Sequence, residues 1–261
     1  MQGKICIVTG AGQGIGRAIA TEFGARGAGA VVIADINPES GEETADLVKA
    51  AGAAAAFVRT DLTSSASIRQ LVDGVAAEYG GIDVLVNNAG VIDTAFTDHA
   101  SVEHEEEEVW DRVFAVNLKG MWLATKFAAP HLRRSQRGPA IVNTASVSGV
   151  TGYPGSPAYC ASKGGVIQLT RVTAAELAPD VRCNCFSPGS FDTPMARAFA
   201  EASPDPDAVR RFMTGPHLLP RFGRPEEIGK LVAFLASDDS SFITGENIMI
   251  DGGTMAWRSL R

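Results

Sequence analysis

Tyr159 and Lys163 stand four residues apart in a stretch whose apolar residues recur at helical spacing. Residues i and i+4 share one face of a helix, so the two side chains are predicted to lie together. A phenol has a pKa of about 10, and a lysine ammonium nearby favours the phenolate and lowers that pKa. Ser146 ends a predicted strand, where its hydroxyl can hold a carbonyl oxygen or an alkoxide. These residues predict acid–base chemistry at an alcohol or ketone, although Tyr-x-x-x-Lys alone is a weak signal.

A glycine-rich loop directly follows the first predicted strand. It reads Thr9-Gly10-Ala11-Gly12-Gln13-Gly14-Ile15-Gly16. Glycine allows a tight turn and a close approach of backbone to a pyrophosphate, and the helix that starts here points free N–H groups at phosphates. Asp35 ends the second predicted strand, 19 residues beyond Gly16, where a carboxylate binds ribose hydroxyls and repels a 2′-phosphate. The pattern predicts a dinucleotide site; a purely structural turn and a helix cap at Asp35 are the alternatives.

Two periodicities alternate along the chain and predict the elements that position these residues. Seven short β-branched runs are apolar on both faces, as buried parallel strands require. The predicted strands are Ile5–Val8, Val31–Ala34, Ala56–Arg59, Asp83–Val86, Ala140–Thr144, Val181–Phe186 and Asn247–Ile250. The predicted helices are Ile15–Ala25, Pro38–Ala51, Ser64–Tyr79, Val109–Arg134, Ala158–Leu177 and Pro225–Ala236. This alternation predicts an α/β fold, a single-domain, doubly wound, Rossmann-type sheet of seven parallel strands with helices on both faces, over residues 1–261.

The composition excludes several classes of protein. Of 261 residues, 45% are hydrophobic and 20% are charged, which is typical of a globular chain. The net charge is −7, so the protein has no excess of positive charge with which to bind a nucleic acid or an anionic membrane. The longest run without a polar residue, Ala50–Val58, is too short to cross a bilayer, which takes about 20 residues. The N-terminal strand leaves no room for a signal peptide, and the cysteines fit no zinc pattern, so a cytoplasmic protein with reduced thiols is expected.

An acidic run, Glu103–Glu108, is interrupted only by His104. It is predicted to be the solvated first turn of the following helix, where carboxylates meet the positive end of the helix dipole. A metal site formed with His99 and His104 is the alternative, and no metal is predicted.

In combination, the motifs identify a resemblance. The chain resembles the short-chain dehydrogenase/reductase family, in its common single-domain form, over nearly its whole length. The matching segments are residues 9–16, Asp61-Leu62, Asn87-Asn88-Ala89-Gly90, Asn117, Ser146, Tyr159-x-x-x-Lys163, Ser187-Pro188-Gly189, Thr193-Pro194 and Ile250-Asp251-Gly252-Gly253. Ser146 precedes Tyr159 by 13 residues, the usual spacing of the family, which favours Ser146 over Ser148 as the catalytic serine.

The resemblance implies a role for each matched catalytic residue. Tyr159 is expected to be the general acid/base, with Lys163 lowering its pKa and holding the nicotinamide ribose. Ser146 is expected to orient the substrate oxygen, and Asn117 to hold a water that links Lys163 to solvent.

The resemblance also implies a nicotinamide cofactor. The residues expected to bind it are Gly10, Gly12, Gln13, Gly14, Ile15, Gly16, Asp35, Ile36, Asp61, Leu62, Asn88, Ala89, Gly90, Tyr159, Lys163, Pro188, Gly189, Phe191 and Thr193. NADP-preferring relatives usually carry Arg or Lys where this chain has Gln13 and Ile36-Asn37, so NAD is favoured. Arginine at the position of Arg17 occurs in both NAD- and NADP-preferring relatives, so it does not distinguish the two cofactors.

The long segment from about residue 190 to 224 is expected to form a lid over the substrate. Expected pocket residues are Ser148, Tyr153, Met195 and Phe199, with Phe191, Phe212 and Met213 adding apolar wall. Arg197, Arg210 and Arg211 could bind a carboxylate, but solvated helix faces are their expected place.

Three functions are open at this point. The first is an NAD-dependent dehydrogenase acting on a small-molecule secondary alcohol or ketone. The second is a 3-oxoacyl-carrier-protein reductase, against which Asp35 argues, and the third is a non-catalytic NAD-binding regulator. Family members are commonly tetramers, and a homotetramer is expected through the Val109–Arg134 and Ala158–Leu177 helices. Small residues on the second helix would allow close approach, namely Ala161, Gly164, Gly165 and Ala174.

Overall fold

The computed structural model describes residues 1–201 and 203–256. Its strands are β1 (Ile5–Thr9), β2 (Ala30–Asp35), β3 (Ala54–Arg59), β4 (Val84–Asn87), β5 (Ala140–Thr144), β6 (Arg182–Pro188) and β7 (Asn247–Ile250). They form one parallel sheet in the order β3-β2-β1-β4-β5-β6-β7. The predicted seven-stranded, doubly wound sheet is confirmed, with strand ends shifted by one or two residues.

The helices follow the strands along the chain. They are α1 (Gly14–Ala25), α2 (Pro38–Ala50), α3 (Ser65–Tyr79), α4 (Glu107–Phe114), α5 (Met121–Leu132), α6 (Pro157–Leu177), α7 (Pro194–Glu201), α8 (Pro206–Thr214) and α9 (Pro225–Ala236). Local sequence explains several ends. The side chains of Asn37 and Ser64 each accept a backbone N–H in the first turn of α2 and α3. Gly80, with a φ of +77°, ends α3 in the left-handed region that glycine allows.

The helical stretch predicted over Val109–Arg134 is present as far as Leu132, but it is not α-helical throughout. The structure has α4 and α5 joined by a π-helical segment, Ala115–Gly120. A π turn widens the helix by one residue per turn, a change too small to disturb the apolar spacing on which the prediction depended. Within it, the Asn117 amide bonds to the backbone of Val91, and Gly120 lies against the carbonyl oxygen of Leu62.

The core lies on both faces of the sheet. On one face α1, α2 and α9 bury apolar side chains such as Phe23, Val48 and Ile228. On the other, α3, α5 and α6 bury side chains such as Leu71 and Leu132. Because all strands are parallel, the loops after β1, β2, β4, β5 and β6 meet at one edge of the sheet, where ligands bind in doubly wound folds. Within the described residues, no helix combines the length and the apolar character needed to cross a membrane.

Candidate active site

A cavity of about 850 Å³ lies at the carboxyl edge of the sheet. Residues from every loop at that edge line it. The predicted residues among them are Gly10, Gln13, Gly14, Ile15, Gly16, Asp35, Ile36, Asp61, Leu62, Asn88, Ala89, Gly90, Tyr159, Lys163, Pro188, Thr193 and Met195. A second cavity, of about 620 Å³ near Asp83 and His131, contains none of the predicted site residues.

The glycine loop after β1 forms one wall of the cavity, and two of its glycines have no room for a side chain. Gly10 has a φ of +62°, and a Cβ there would meet the Ala89 backbone. A Cβ on Gly16 would collide with the carbonyl oxygen of Gly10 and with the Asn88 amide. The loop therefore packs backbone against backbone, and the N-terminus of α1 opens onto the cavity.

Asp35 lies at the end of β2, and its carboxylate is held by two backbone donors. Its Oδ2 accepts from the N–H of Gly12 at 2.8 Å, and its Oδ1 accepts from the N–H of Asn37 at 3.0 Å. Gly12 itself does not line the cavity, because its N–H points to Asp35. These bonds keep a negative charge at the cavity wall, where it can accept further hydrogen bonds from ribose hydroxyls.

The Arg17 side chain makes hydrogen bonds and an ion pair within the protein. Its guanidinium donates to the carbonyl oxygen of Gly12 at 2.6 Å and pairs with Glu43 at 2.9 Å. It also reaches Ser40 and Thr44 on α2. Arg17, which the sequence could not assign to NAD or NADP recognition, therefore connects the glycine loop to α2.

Ser146, Tyr159 and Lys163 meet between β5 and α6. The Lys163 ammonium is buried, donates to the carbonyl oxygen of Thr144 at 2.7 Å and lies 5.7 Å from the centre of the Tyr159 ring. The Ser146 hydroxyl is buried and accepts the N–H of Ser148 at 3.1 Å. Ser148 thus supports Ser146 through its backbone and does not itself line the cavity.

Burial shifts the pKa values of the two titratable groups. Burial raises the pKa of Tyr159 above its usual value, and hydrogen bonding by Ser146 offsets this only in part. Burial also lowers the pKa of Lys163, to about 8. The pKa of Tyr159 is raised in this structure because burial of the phenol dominates, and Lys163 is not among the groups that shift it. The lowering of that pKa by Lys163 stays a prediction. Near neutral pH Tyr159 holds its proton and Lys163 is charged.

Asn117 supports the loop after β4 from within the π-helical segment. Its Oδ1 accepts the N–H of Val91 at 2.8 Å, and its Nδ2 donates to the carbonyl oxygen of Val91 at 2.9 Å and to Ser162 at 3.1 Å. Both amide N–H groups are therefore used within the protein. The water that the family resemblance implies at Asn117 stays a prediction.

Other predicted residues lie beside the cavity. The Phe191 side chain is buried in the core against Gly223, so its prediction as a pocket wall is wrong. Gly189 packs against Asp251 and His217. Tyr153 packs against Phe212 of the lid with the two rings tilted by 49° and their centres 6.1 Å apart. The half-buried Phe199 lies on α7 and, like Tyr153 and Gly189, does not line the cavity.

The sequence missed several wall residues, among them an aromatic and a basic side chain. Phe96 and Arg112 line the cavity opposite Asp61, and the Arg112 guanidinium lies 4.4 Å from the centre of the Phe96 ring. Neither belongs to a motif, and only the packing of α4 against the loop after β4 brings them together. As for metals, no cluster of three or more His, Cys, Asp or Glu side chains suited to an ion occurs in residues 1–201 and 203–256.

A doubly wound parallel sheet with its cavity at the carboxyl edge defines a nucleotide-binding α/β protein. The model of the family described as Enoyl-(Acyl carrier protein) reductase matches residues 10–255. The 3-oxoacyl-[acyl-carrier-protein] reductase FabG of Thermotoga maritima is 41% identical and aligns over 97% of this chain and 98% of its own. The cis-4-hydroxycyclohexanecarboxylate dehydrogenase of Sinomonas cyclohexanicum is 39% identical over 97% of each chain.

The solved structures agree with the sequence relatives. The crystal structure of NAD+-bound xylitol dehydrogenase superposes with a TM-score of 0.87 at 36% identity, and the match covers 97% of this chain and 99% of the other. The chain therefore belongs to the short-chain dehydrogenase/reductase family and is an oxidoreductase.

Proposed function

We propose that this enzyme is an NAD-dependent dehydrogenase that interconverts a secondary alcohol of modest size and its ketone. The observation that carries the proposal is that Tyr159 and Lys163 line one cavity that Asp35 also borders, with the Ser146 hydroxyl beside the Tyr159 phenol. Two similar proteins support an alcohol substrate, because one is named cis-4-hydroxycyclohexanecarboxylate dehydrogenase and the other xylitol dehydrogenase.

The cavity suits a dinucleotide along its whole length. The side-chain-free cradle at Gly10 and Gly16 admits a pyrophosphate against the start of α1. Asp35 would hold the adenosine ribose, while Asp61 and Leu62 would flank the adenine. Asn88, Ala89, Gly90, Pro188 and Thr193, which line the cavity, would surround the nicotinamide end. When bound, NAD supplies the hydride chemistry, accepting hydride from the alcohol carbon or returning it to the ketone.

The protein's own side chains would carry out the proton transfer. In ketone reduction the Tyr159 hydroxyl gives its proton to the carbonyl oxygen, while the Ser146 hydroxyl donates a hydrogen bond to that same oxygen. The charged Lys163 then stabilises the phenolate that remains. In alcohol oxidation Tyr159 must first lose its proton. Because burial raises its pKa, we expect oxidation to increase as the pH is raised.

The charges around Asp35 support NAD over NADP. The carboxylate would repel a 2′-phosphate, and the nearby Arg17 is already paired with Glu43 and with backbone oxygens. Gln13 and Ile36, which also line this end of the cavity, add no positive charge.

A 3-oxoacyl-carrier-protein reductase is the second candidate, favoured by the 41% identity to FabG of Thermotoga maritima. The lid argues against an acidic carrier protein as partner, because its arginines are paired with its own carboxylates. Arg197 pairs with Asp192 at 2.7 Å and Arg210 with Asp207 at 2.9 Å.

A substrate panel separates these functions. The purified enzyme is offered secondary alcohols with NAD or NADP, and 3-oxoacyl thioesters with NADH or NADPH, and absorbance of the reduced cofactor is followed. We expect turnover of alcohols with NAD. Reduction of 3-oxoacyl thioesters with NADPH that is faster than alcohol oxidation with NAD would establish the 3-oxoacyl-carrier-protein reductase. Binding of NADH without any turnover would establish the non-catalytic NAD-binding regulator.

We also propose a homotetramer formed through the region from α4 to α6. Trp110, Trp122 and Val172 on these helices are each about two-fifths exposed, an apolar surface that a second copy of the chain would cover. The small residues singled out in the sequence contribute less than expected. Gly165 packs on Leu118 and Ala174 is buried in the core of its own chain.

A further inference from the structure

The catalytic helix α6 begins on a carboxylate that comes from a distant part of the chain. Asp93 is fully buried after β4; its Oδ1 accepts the N–H of Ala158 at 2.9 Å and its Oδ2 accepts the N–H of Tyr159 at 3.0 Å. The N-cap residue Ser156 makes no side-chain bond to the helix. Asp93 therefore supplies the cap, and one of its two bonds is to the residue that carries the reactive phenol.

A second carboxyl group lies against Asp93. Both carboxyl oxygens of Glu105 are buried, and no donor among the described residues reaches them. The group that faces them is the Asp93 carboxyl. Two ionised carboxylates cannot hydrogen-bond and repel each other, so this contact is stable only if one of them carries a proton.

The surroundings place that proton on Glu105. Two backbone N–H groups and the positive end of α6 stabilise the charged form of Asp93. Glu105 has no such partners. Burial first, and then the Asp93 carboxyl, raise the pKa of Glu105 to about 7.

The other charged and titratable groups nearby do not neutralise Glu105. Glu106 on the same loop adds repulsion, while Tyr159 and Cys160 on α6 face Asp93 and are uncharged near neutral pH. Arg112 of α4 lies over the Phe96 ring. Two histidines complete the set: His104 bonds to Ser101, and His99 faces Glu106.

We propose that Glu105 carries a proton at neutral pH and donates it to Asp93, and that this carboxyl–carboxylate pair positions the start of α6 and, through it, Tyr159. The pair links three parts of the fold that are far apart in sequence: the loop before α4, the turn after β4 and the catalytic helix. Glu105 is a positioning residue, and its kinetic effect rests on the function proposed above.

An infrared measurement tests the protonation without any need for turnover. The whole enzyme is compared with Glu105→Gln, and with Glu106→Gln as a control at the adjacent glutamate. At pH 6 we expect the C=O band of a protonated carboxylic acid in the parent and in Glu106→Gln, and its loss in Glu105→Gln. Absence of the band from the parent, or its persistence in Glu105→Gln, would overturn the proposal.

Thermal unfolding between pH 5 and pH 8 gives an independent test. A raised pKa means that stabilisation by Glu105 is lost as the pH rises from its ordinary pKa of 4.5 to about 7, whereas a glutamine loses nothing. We therefore expect the Tm of Glu105→Gln to rise relative to the parent across this range. The Glu106→Gln difference should stay flat, because the pKa of Glu106 is lowered and it is ionised throughout. A flat Glu105→Gln difference would contradict the proposal.

Kinetics test the positioning of Tyr159. We expect Glu105→Ala to lower kcat about tenfold, the effect of losing roughly one hydrogen bond to a charged group. Glu105→Gln should restore kcat to within about twofold, because its amide still donates to Asp93. If Glu105→Ala keeps the parent kcat, the positioning role is refuted. If no variant, including the parent, turns over any alcohol, the proposed function fails while the infrared and unfolding tests still decide the pair.

Discussion

At the scale of single residues, Asp35 holds the glycine loop in place and, in the proposed function, would also hold the cofactor ribose. Its carboxylate anchors the N–H of Gly12 and also supplies the negative charge at the ribose end of the cavity. These two effects can be separated, because asparagine keeps a hydrogen-bond acceptor but loses the charge.

We expect Asp35→Ser combined with Ile36→Arg to raise the ratio of kcat/KM for NADP over NAD by about tenfold or more, since repulsion of a 2′-phosphate becomes attraction. Asp35→Asn should move the ratio in the same direction by less. Steady-state kinetics with both cofactors provide the measurement. A parent enzyme that binds NADPH more tightly than NADH would show that this interpretation of Asp35 is incorrect.

Lys163 gives a pH dependence whose sign follows from its burial. Its pKa is lowered to about 8 in the folded protein, below the value of a free lysine, so the unfolded chain binds more protons between these two values. The contribution of Lys163 to stability therefore improves as the pH rises from 8 towards 10.

We accordingly expect Lys163→Met to gain stability relative to the parent at pH 7 and to lose that advantage by pH 9.5. Chemical unfolding of both proteins at the two pH values measures the difference. A difference that does not change with pH would mean that Lys163 is solvated in the folded protein.

The sequence predicted the placement of the candidate catalytic residues better than their electrostatics. Ser146, Tyr159 and Lys163 are brought together as their spacing predicted, because strand ends and helix faces follow from local pattern. The raised pKa of Tyr159 and the buried carboxyl of Glu105 could not be predicted, because desolvation depends on which distant segments cover a group. The acidic run was expected to be solvated, and this holds for Glu107 and Glu108 but not for the Glu105 carboxyl.

At the scale of elements, the glycine loop and α1 form a unit whose shape depends on missing side chains. We expect Gly16→Ala to abolish or severely weaken NADH binding, because its Cβ would push the Gly10 carbonyl and the Asn88 amide out of place. Fluorescence titration with NADH gives the affinity.

Gly74→Ala is the matched control for that change. Gly74 is exposed on α3 with open space around it, so alanine there should add roughly 0.5–1 kcal/mol of stability through helix propensity and leave NADH binding unchanged. Normal NADH affinity in Gly16→Ala would mean that the loop does not cradle the cofactor.

All seven strands could be predicted because each is a short, largely apolar run, including β3 and β7 at the two edges of the sheet. The π-helical segment between α4 and α5 could not, because one wide turn hardly alters apolar spacing. Nor could α7 and α8 be predicted within the expected lid. Both helices are amphipathic, but they are short, only 8 and 9 residues, and α8 buries no side chain fully, so a helical period has little length over which to show.

At the scale of the whole molecule, the exposed apolar side chains on α4 to α6 predict self-association. We expect sedimentation of the parent at micromolar concentration to show a tetramer. Val172→Asp should shift it towards smaller species, because a charge at a desolvated interface is costly. Val102→Asp, at an exposed position outside these helices, is the control and should leave the assembly unchanged. A parent that sediments only as a monomer would refute the proposed assembly.

The most direct test of the proposed reaction is turnover by Tyr159→Phe, which keeps the ring and removes the group that carries the proton. The best alcohol from the substrate panel is oxidised with NAD by parent and variant, and NADH binding is titrated in parallel. We predict that kcat falls to background while the NADH dissociation constant changes by less than about threefold, since the phenol contributes at most one weak hydrogen bond to the cofactor. Substantial turnover by Tyr159→Phe, with NADH bound as in the parent, would show that the proton travels by another route and would contradict the assignment.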